Sequence, residues 1–540
     1  MGQGLGTLGM KRREFLGAAI AGTTVLAGCE ARHDIAGGFT GIDAGRGHAL
    51  RDGTWVAGAA PDSTRRTRVV IAGGGVAGLA AARALRLSGI DDFVLLELED
   101  VAGGNSRGGM IEGIACPLGA HYLPVPGDDA HEVQDLLEEL GLRRRVSGRW
   151  EYDERHLCHS PQERLFFRGA WQEGLLPVQG VEESTLAQYR RFSQRVEALR
   201  RESRFMIPTL RAEPTPLLMA LDAIPFQTWL EREGFTDPHL RWYLDYCCRD
   251  DYGAGLAHVS AWAGIHYFAS RHGFHAPGDD NAERDAVLTW PEGNGWLTRR
   301  LAEPLGERLK PGHAVTRIAE TRAGVEVDAF HVASRSRVRW QAERCIVAMP
   351  VFIAARVVEN PPELLRPAAT HLRDSPWLVA NVHVRSPLAD RPGAAPSWDN
   401  VVYGTRGLGY VDARHQALDP TPRATVLSWY RPLGPSGFDG ADARRQLLER
   451  PWTAWRDDLL AELSVPHPDL RDVATRIDIT RYGHAMAMPA PGLLRQLAAL
   501  STCGPGLIGT KRLTFAHSDW SGYSIFEEAF TRGHLAGVAR

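Results

Sequence analysis

The chain has 540 residues, of which 44% are hydrophobic, so it can bury at least one large core. Its formal net charge of −3 at pH 7 gives no electrostatic basis for binding nucleic acid, and we expect no nucleic-acid partner. The 7 cysteines form no C-x-x-C pair and no zinc spacing, so we expect neither a disulfide framework nor a metal site.

The first 29 residues have the three regions of an export signal. Lys11, Arg12 and Arg13 are followed by a mildly apolar run and small residues before Cys29. The run is shorter than the roughly 20 residues that a membrane-spanning helix needs, so we expect membrane contact only through lipidation. The segment resembles a twin-arginine signal with a lipoprotein cleavage site. That resemblance implies the twin-arginine translocase as a partner and a periplasmic or otherwise exported protein, which a lipid on Cys29 would anchor to a membrane.

The next ordered segment alternates between strand and helix patterns. Residues 68–72 form a short β-branched run, residues 76–87 are rich in Ala and Leu, and residues 93–97 supply a second apolar run. A buried strand, a helix and a second buried strand in this order predict the first unit of a parallel sheet.

A glycine-rich turn joins the first strand to the helix. Gly73, Gly75 and Gly78 have the G-x-G-x-x-G spacing, which lets the backbone approach a pyrophosphate at the start of the helix. Glu97 ends the second strand, where its carboxylate can accept hydrogen bonds from ribose hydroxyls and repels a 2′-phosphate. The segment therefore predicts a dinucleotide site that disfavours NADP.

Residues 97–107, ELEDVAGGNSR, resemble the segment that follows the second strand in the flavin-containing amine oxidase and phytoene desaturase superfamily. The resemblance implies FAD as the cofactor, with Gly103 and Gly104 beneath the flavin and pyrophosphate. Asn105 stands where the family usually has arginine. The resemblance makes Arg107 the candidate to replace that phosphate contact.

Four further segments resemble motifs of this family and follow in the family's order. PLGAHY at residues 117–122 resembles a cofactor-side turn and implies contacts by Gly119, Ala120 and His121. Residues 290–327 resemble the stretch that leads to an adenine-contacting strand and imply Val315 as the contact. RCIVAMP at residues 344–350 resembles the strand that returns the chain from the flavin domain.

The last of these segments, residues 515–537, resembles the family's final flavin motif. It implies Asp519 as the ribityl or phosphate contact and Glu527 as the glutamate at the start of a helix. Tyr523 in the same segment resembles an aromatic-cage tyrosine of monoamine oxidases, although counting from Glu527 places Ile525 there. Tyr523 is therefore a candidate for substrate contact or for simple packing.

The resemblance implies an α/β fold with a Rossmann-like FAD-binding domain and an interleaved α+β substrate-binding domain of the amine oxidase type. We assign the domains from these motifs. Residues 1–29 form the signal, 30–66 a linker, 67–150, 285–360 and 500–540 the FAD-binding domain, and 151–284 and 361–499 the substrate domain.

The predicted substrate domain contains fewer recognisable motifs. Amine oxidases of the family often hold a lysine at flavin N5, but residues 351–400 contain no lysine. His383 is the comparable titratable base there and is either that base or a structural histidine. No catalytic residue is assigned from the sequence.

The expected function is that of an exported FAD-dependent oxidoreductase. It would oxidise a small organic amine or a related small-molecule substrate by hydride transfer to flavin N5, with oxygen or a quinone-type compound as electron acceptor. The missing lysine and the aromatic-rich residues 241–268 leave open a desaturase-like or isoprenoid oxidoreductase. A non-catalytic lipid- or partner-binding protein on the same fold is a third alternative.

Overall fold

A computed structural model describes residues 34–55, 60–158, 162–278, 286–417, 421, 423–435, 443–498 and 508–539, together with Met1. The twin-arginine motif and Cys29 lie outside the described residues. No helix of the described part is both long and apolar enough to cross a membrane.

Strands and helices are interspersed over the described residues, including a run of consecutive helices between Glu183 and Ala269. The strands are β1 (Ala36–Thr40), β2 (Ser63–Arg66), β3 (Val69–Ala72), β4 (Phe93–Leu96), β5 (Gly108–Ile111), β6 (Ile114–Pro117), β7 (Tyr122–Pro124), β8 (Arg143–Val146), β9 (Arg149–Tyr152), β10 (Glu163–Phe167), β11 (Ala170–Glu173), β12 (Val287–Thr289), β13 (Leu309–Lys310), β14 (His313–Glu320), β15 (Val325–His331), β16 (Ser336–Ala342), β17 (Arg344–Val347), β18 (Asp374–Val384), β19 (Asp399–Val402), β20 (Tyr410–Asp412), β21 (Thr425–Pro432), β22 (Ala474–Ala487), β23 (Ile508–Gly509) and β24 (Leu513–Phe515). The α-helices are α1 (Ala44–Arg51), α2 (Val76–Leu87), α3 (His131–Glu139), α4 (Glu183–Glu202), α5 (Pro216–Asp222), α6 (Phe226–Arg232), α7 (Pro238–Tyr252), α8 (Ala261–Ala269), α9 (Gly295–Ala302), α10 (Val351–Val357), α11 (Leu365–His371), α12 (Ala443–Glu449), α13 (Trp452–Leu463), α14 (Leu470–Val473), α15 (Leu493–Ala498) and α16 (Phe526–Val538).

A six-stranded sheet has the order β13-β4-β3-β17-β24-β23 and is parallel apart from the edge strand β23. Every residue of β3 and β4 is buried, as expected for strands covered on both faces. Val69 and Ile71 pack with the helices α2 and α16, while Val70 and Ala72 pack with the four-stranded sheet β14-β15-β16-β2. The chain leaves β3 towards β4 on one side and later places β17 on the other, which puts a topological switch point beside β3.

An eight-stranded mixed sheet has the order β1-β22-β18-β21-β20-β19-β10-β11. Leu378 and Ala380 of β18 pack on one face, with α13 among their neighbours. Trp377 and Val379 point to the opposite face, where they join the cluster built mainly by helices α4 to α8. Side chains alternate along β18, so one face of the strand packs on α13 and the other, which we call the interior face, packs on helices α4 to α8.

The expected α/β fold is confirmed, and the first nucleotide-binding unit matches the prediction closely. Helix α2 has the predicted bounds, and each of the two strands is one residue shorter than predicted. The two large sheets draw on the segments assigned to the FAD-binding and substrate domains respectively, apart from β1. The domain boundaries themselves stay a prediction.

The linker predicted over residues 30–66 is wrong for much of its length. Residues 36–40 form β1 and pair in parallel with β22, and residues 63–66 form β2 and pair with β16. Nearly all of these residues are exposed or half-buried, so the strands are held by main-chain hydrogen bonds at sheet edges. Such strands show no apolar period, and the sequence pattern therefore does not reveal them.

Candidate active site

The glycine-rich turn lies at the carboxyl end of the central strand β3. Gly73 has a φ of +111°, which favours glycine, and its N–H donates to Leu96 O at 2.9 Å. A Cβ at Gly78 would lie 1.9 Å from Gly73 O, so α2 can approach the turn only with glycine there. The turn therefore presents the N-terminus of α2 at the edge of the sheet.

Gly75 and Gly104 form a cradle without side chains. A Cβ added to Gly104 would lie 3.2 Å from the Cα of Gly75, and the two loops are joined by a 2.8 Å hydrogen bond from Gly103 N to Gly74 O. No described residue accepts a hydrogen bond from the Gly75 N–H. A side-chain-free cradle with an unclaimed N–H at a helix N-terminus fits the pyrophosphate of a dinucleotide.

Glu97 lies directly after β4 and is 7% exposed. Its two carboxylate oxygens accept hydrogen bonds from Gly74 N at 2.7 Å and from Glu99 N at 2.8 Å. Burial raises the pKa of Glu97, and these two backbone hydrogen bonds oppose that rise. Each oxygen keeps acceptor capacity, which fits the ribose hydroxyls of the adenosine half.

The two side chains that flank the Gly103-Gly104 turn point in different directions. Asn105 Nδ2 donates at 2.7 Å to the carbonyl oxygen of Ala485 in strand β22. Arg107 folds back instead, with Nε donating to Gly104 O at 3.2 Å and a guanidinium nitrogen 3.9 Å from Glu99. Arg107 is thus a cation beside the cradle, and its role as a phosphate contact stays a prediction.

Val315 and residues 119–121 lie near the loops that form the cradle. Val315 of β14 is 6% exposed and packs in the cluster that contains Val94 and Leu96, next to Glu97. Gly119 passes so close to the loop that a Cβ there would lie 2.1 Å from Asn105 O. The N–H of Ala120 donates to that same oxygen at 2.9 Å, which fixes the segment against the cradle.

Three adjacent strands of the eight-stranded sheet each hold one carbonyl of this segment. Asn381 of β18 donates to Pro117 O at 3.0 Å, Tyr482 of β22 to Leu118 O at 2.7 Å, and Tyr430 of β21 to Gly119 O at 3.0 Å. We call these three side chains the carbonyl clamp. It joins the substrate-side sheet to the segment that lies against the cradle.

The C-terminal motif supplies two buried carboxylates. Asp519 accepts from Val351 N at 2.9 Å and lies 3.0 Å from His517 Nδ1. Burial raises the pKa of Asp519, but the facing His517 and the hydrogen bonds outweigh it and leave that pKa lowered. Glu527 in the first turn of α16 has a carboxylate oxygen, Oε2, without a partner among the described residues, and burial raises its pKa to about 7. This orphaned oxygen leaves a buried polar position for a bound group.

An aromatic wall continues from the segment beyond Ala120. The His121 ring lies 4.4 Å from Tyr430 and 5.5 Å from Trp398, and the Tyr122 ring lies 5.8 Å from Trp398. Burial lowers the pKa of His121 to about 3, so this imidazole is neutral at physiological pH. The wall is therefore uncharged and largely apolar.

Carboxylates face this wall from two other elements. Helix α7 begins where the Asp237 side chain accepts from His239 N and Leu240 N, and its last turn carries Asp250. Asp399 begins β19 and is the register partner of Glu163 on β10. The charge of Asp250 acts on both Tyr122 and Asp399, so these three groups lie near one another.

Burial, with the neighbouring charge of Asp251 second, raises the pKa of Asp250 to about 7. Burial also raises the pKa of Asp399 well above its usual value, and the charges of Glu163 and Asp250 add to this. No hydrogen bond or ion pair joins the Asp250 carboxylate to another described residue. Both side chains are half-buried, so each keeps part of its surface accessible.

Tyr523 is fully buried and its hydroxyl is engaged twice. It donates to Asp251 at 2.5 Å and accepts from Arg271 at 2.8 Å, while the ring lies 5.4 Å from Tyr252. His383 lies on the interior face of β18, four residues beyond Val379, with Nδ1 2.5 Å from Thr475 Oγ1. The structure thus gives both residues protein partners. Whether Tyr523 contacts the substrate or only packs, and whether His383 is a base or a structural histidine, stay open.

Sequence reasoning missed the carbonyl clamp and the two neighbouring aspartates, Asp250 and Asp399. Clamp residues are separated from their partners by hundreds of positions, so no local pattern marks them. Asp250 carried a usable signal, since it and Asp251 are adjacent acidic residues in a helix rich in aromatic residues. In the described part of the chain, no three His, Cys, Asp or Glu side chains are grouped to hold a metal ion.

The sequence profile of the family described as flavin containing amine oxidoreductase matches residues 76–536. The chain belongs to this family. Proteins of this family and the structural neighbours are FAD-dependent oxidoreductases, and the glycine cradle of this chain fits that cofactor. These findings do not favour the desaturase-like enzyme or the non-catalytic binding protein.

Individual relatives are more distant. An L-amino acid dehydrogenase of Synechocystis is 26% identical over 312 residues, which is 54% of this chain and 58% of the relative. Polyamine oxidase 4 of Oryza sativa is 28% identical over 309 residues, or 55% of this chain and 54% of the relative. The chain thus spans a little over half the length of these curated relatives.

Solved structures resemble the whole fold. Putrescine oxidase has a TM-score of 0.65 and 18% identity, and cyclohexylamine oxidase of Brevibacterium oxydans has a TM-score of 0.62 and 17% identity. In both cases the match covers 88% of this chain and 98% of the other. These likenesses show the amine oxidase fold.

Proposed function

We propose that this flavoenzyme oxidises a small organic amine by hydride transfer to FAD and acts outside the cytoplasm. The observation that carries the amine is the half-buried carboxylate of Asp250, which has no hydrogen-bond or ion-pair partner among the described residues and lies near Asp399 and the aromatic wall. We infer that these two aspartates line the substrate cavity. Burying a carboxylate without a partner is costly, and a cationic ligand offsets that cost. The names of putrescine oxidase and polyamine oxidase, two proteins that this chain resembles, agree with an amine substrate.

The chain's own residues bind and orient the substrate in this proposal. When bound, FAD would accept a hydride from the carbon next to the substrate nitrogen. The rings of His121, Tyr122 and Trp398 exclude water and offer flat faces, one of them a neutral imidazole. Asp250 attracts the ammonium form, and its pKa of about 7 allows it to exchange a proton with the amine near neutral pH.

Anaerobic bleaching of the flavin tests the substrate class. The holoprotein is mixed with monoamines, diamines, amino acids and a polyene, and the loss of visible flavin absorbance is followed in each case. The proposal predicts bleaching by at least one amine and none by the polyene. Asp250→Asn should raise the amine concentration needed for half-maximal bleaching about tenfold or more, because a hydrogen bond to a charged group is lost. Bleaching by the polyene alone would refute the amine assignment.

Export and the electron acceptor are separate parts of the proposal. The paired Arg12 and Arg13 and the small residues before Cys29 support passage through the twin-arginine translocase. Replacing both arginines with lysine should leave the protein in the cytoplasm of a host with that translocase, whereas the unchanged signal should deliver it to the periplasm. Steady-state rates with oxygen and with a soluble quinone would show which compound reoxidises the flavin.

A further inference from the structure

An arginine-rich β-hairpin follows helix α3 on the surface of the molecule. It consists of β8 and β9, joined by a turn at Ser147 and Gly148 that both have positive φ. Arg144, Arg145 and Arg149 are exposed, and the Trp150 side chain beside them is 44% exposed. Trp150 is the only tryptophan among the exposed large hydrophobic side chains of the described residues.

The charge of this hairpin is mostly uncompensated. Among the described residues, no carboxylate forms an ion pair with Arg144, Arg145 or Arg149, although Glu151 is the register partner of Arg144. The buried Arg143 pairs with Glu138 at 3.0 Å and stacks 3.9 Å from the centre of the Trp150 ring. Arg145 lies 5.8 Å from the centre of the same ring. Two cations thereby hold the tryptophan in place, while the charges of Arg144, Arg145 and Arg149 are not neutralised by an ion pair with a described residue.

A cleft of about 350 Å³ lies at the base of the hairpin. Leu140 and Leu142 line it on one side and Trp296 and Arg300 of α9 on the other. The Arg300 guanidinium lies 3.2 Å from the centre of the Trp296 ring and has no ion pair with a described residue.

The acidic group of the cleft is already engaged. Asp153, which lines the cleft, is paired with Arg155 at 2.5 Å. The cleft therefore continues the cationic and aromatic character of the hairpin.

We propose that the hairpin and the cleft, together the arginine hairpin surface, bind the anionic headgroups of a membrane. Arginine forks match the geometry of phosphate, and tryptophan prefers the interface between headgroups and acyl chains. Arginines without an ion pair are attracted to anionic lipid, and each such arginine raises the affinity for the membrane about fivefold. The binding does not depend on a lipid at Cys29 and would add to one, since a single acyl chain anchors a protein only weakly.

Co-sedimentation with vesicles tests this proposal on the flavin-loaded full chain. Every sample carries Cys29→Ser, so that no acyl chain is attached. Binding is expected to mixed phosphatidylglycerol and phosphatidylcholine vesicles and to be much weaker to pure phosphatidylcholine. Replacing Arg144, Arg145 and Arg149 with glutamate should weaken binding to the mixed vesicles by about 100-fold or more, because three attractive charges become repulsive. Trp150→Ala should give a smaller loss on the same vesicles.

A matched variant controls for net charge. Arg322, Arg366 and Arg471 are exposed residues on other parts of the surface, and their replacement with glutamate changes the total charge equally. This control should bind like the parent protein, and flavin content and circular dichroism should be unchanged in all variants. Equal binding to pure phosphatidylcholine, or an equal loss in both triple variants, would overturn the proposal. Full displacement by soluble glycerol phosphate would also overturn it, because the surface would then be a site for free phosphate.

Discussion

The Tyr430 hydroxyl donates a hydrogen bond to the carbonyl oxygen of Gly119 at 3.0 Å. Both groups are buried, and the bond joins strand β21 to the segment that carries His121. With Asn381 and Tyr482 it completes the carbonyl clamp, which orients the aromatic wall relative to the glycine cradle. The position of the substrate cavity therefore depends on side chains of the eight-stranded sheet as well as on the nucleotide-binding turn.

Tyr430→Phe should lower the free energy of unfolding by about 1 to 3 kcal/mol, because the buried Gly119 carbonyl loses its hydrogen-bond donor. Chemical denaturation of the holoprotein measures this change. Tyr152→Phe is a suitable control, since no described residue bonds to the Tyr152 hydroxyl, and it should change stability by less than about 0.5 kcal/mol. Equal effects of the two substitutions would contradict a role for the clamp.

Glu97→Gln should weaken FAD binding by roughly 10- to 100-fold, since a hydrogen bond to a charged group contributes about 1.5 to 3 kcal/mol. The substitution also disturbs the bonds from Gly74 and Glu99, which shape the loop around the ribose position. Titration of the apoprotein with FAD, followed by quenching of flavin fluorescence, gives the dissociation constant. An unchanged dissociation constant would exclude Glu97 from the nucleotide site.

Asp250 should make stability depend on pH near neutrality. Burial, and then the charge of Asp251, raises its pKa to about 7 in the folded protein, whereas an unfolded aspartate has a pKa near 4. The folded state therefore binds the extra proton between these values, and the stability that this contributes is present at pH 4 and lost as the pH rises through about 7.

Asp250→Asn cannot titrate at this position. The difference in thermal unfolding midpoint, variant minus parent, should therefore become more positive between pH 5 and pH 8. Differential scanning fluorimetry at a series of pH values measures it. A difference that stays constant across this range would show that Asp250 does not have a raised pKa.

Tyr523→Phe should act mainly on stability. Its hydroxyl bridges Asp251 and Arg271, which remain paired with each other at 2.9 Å after the substitution, so we expect a loss of about 1 to 2 kcal/mol. Because the ring is fully buried, KM for an amine substrate should change less than about twofold. A large rise in KM with unchanged stability would instead identify Tyr523 as a wall of the substrate site.

The nucleotide-binding unit could be predicted from the sequence because its signals are local. Turn glycines, an apolar strand and an Ala-rich helix follow one another within thirty residues, and the structure has the helix at the predicted bounds. The edge strands β1 and β2 could not be predicted, since main-chain pairing holds them and their side chains are largely exposed. The cavity aspartates could not be brought together either, because only the packing of α7 against β19 and its neighbours unites Asp250 with Asp399.

The flavin content of a Gly75→Val variant tests the central claim most directly. A valine side chain would enter the cradle that Gly75 and Gly104 leave open for the pyrophosphate. Gly127→Val is the matched control, because Gly127 is exposed, has an ordinary φ and faces open space. The visible absorbance of the purified proteins should show stoichiometric flavin in the parent and in Gly127→Val, and almost none in Gly75→Val. Stoichiometric flavin in Gly75→Val would contradict the placement of FAD against this turn.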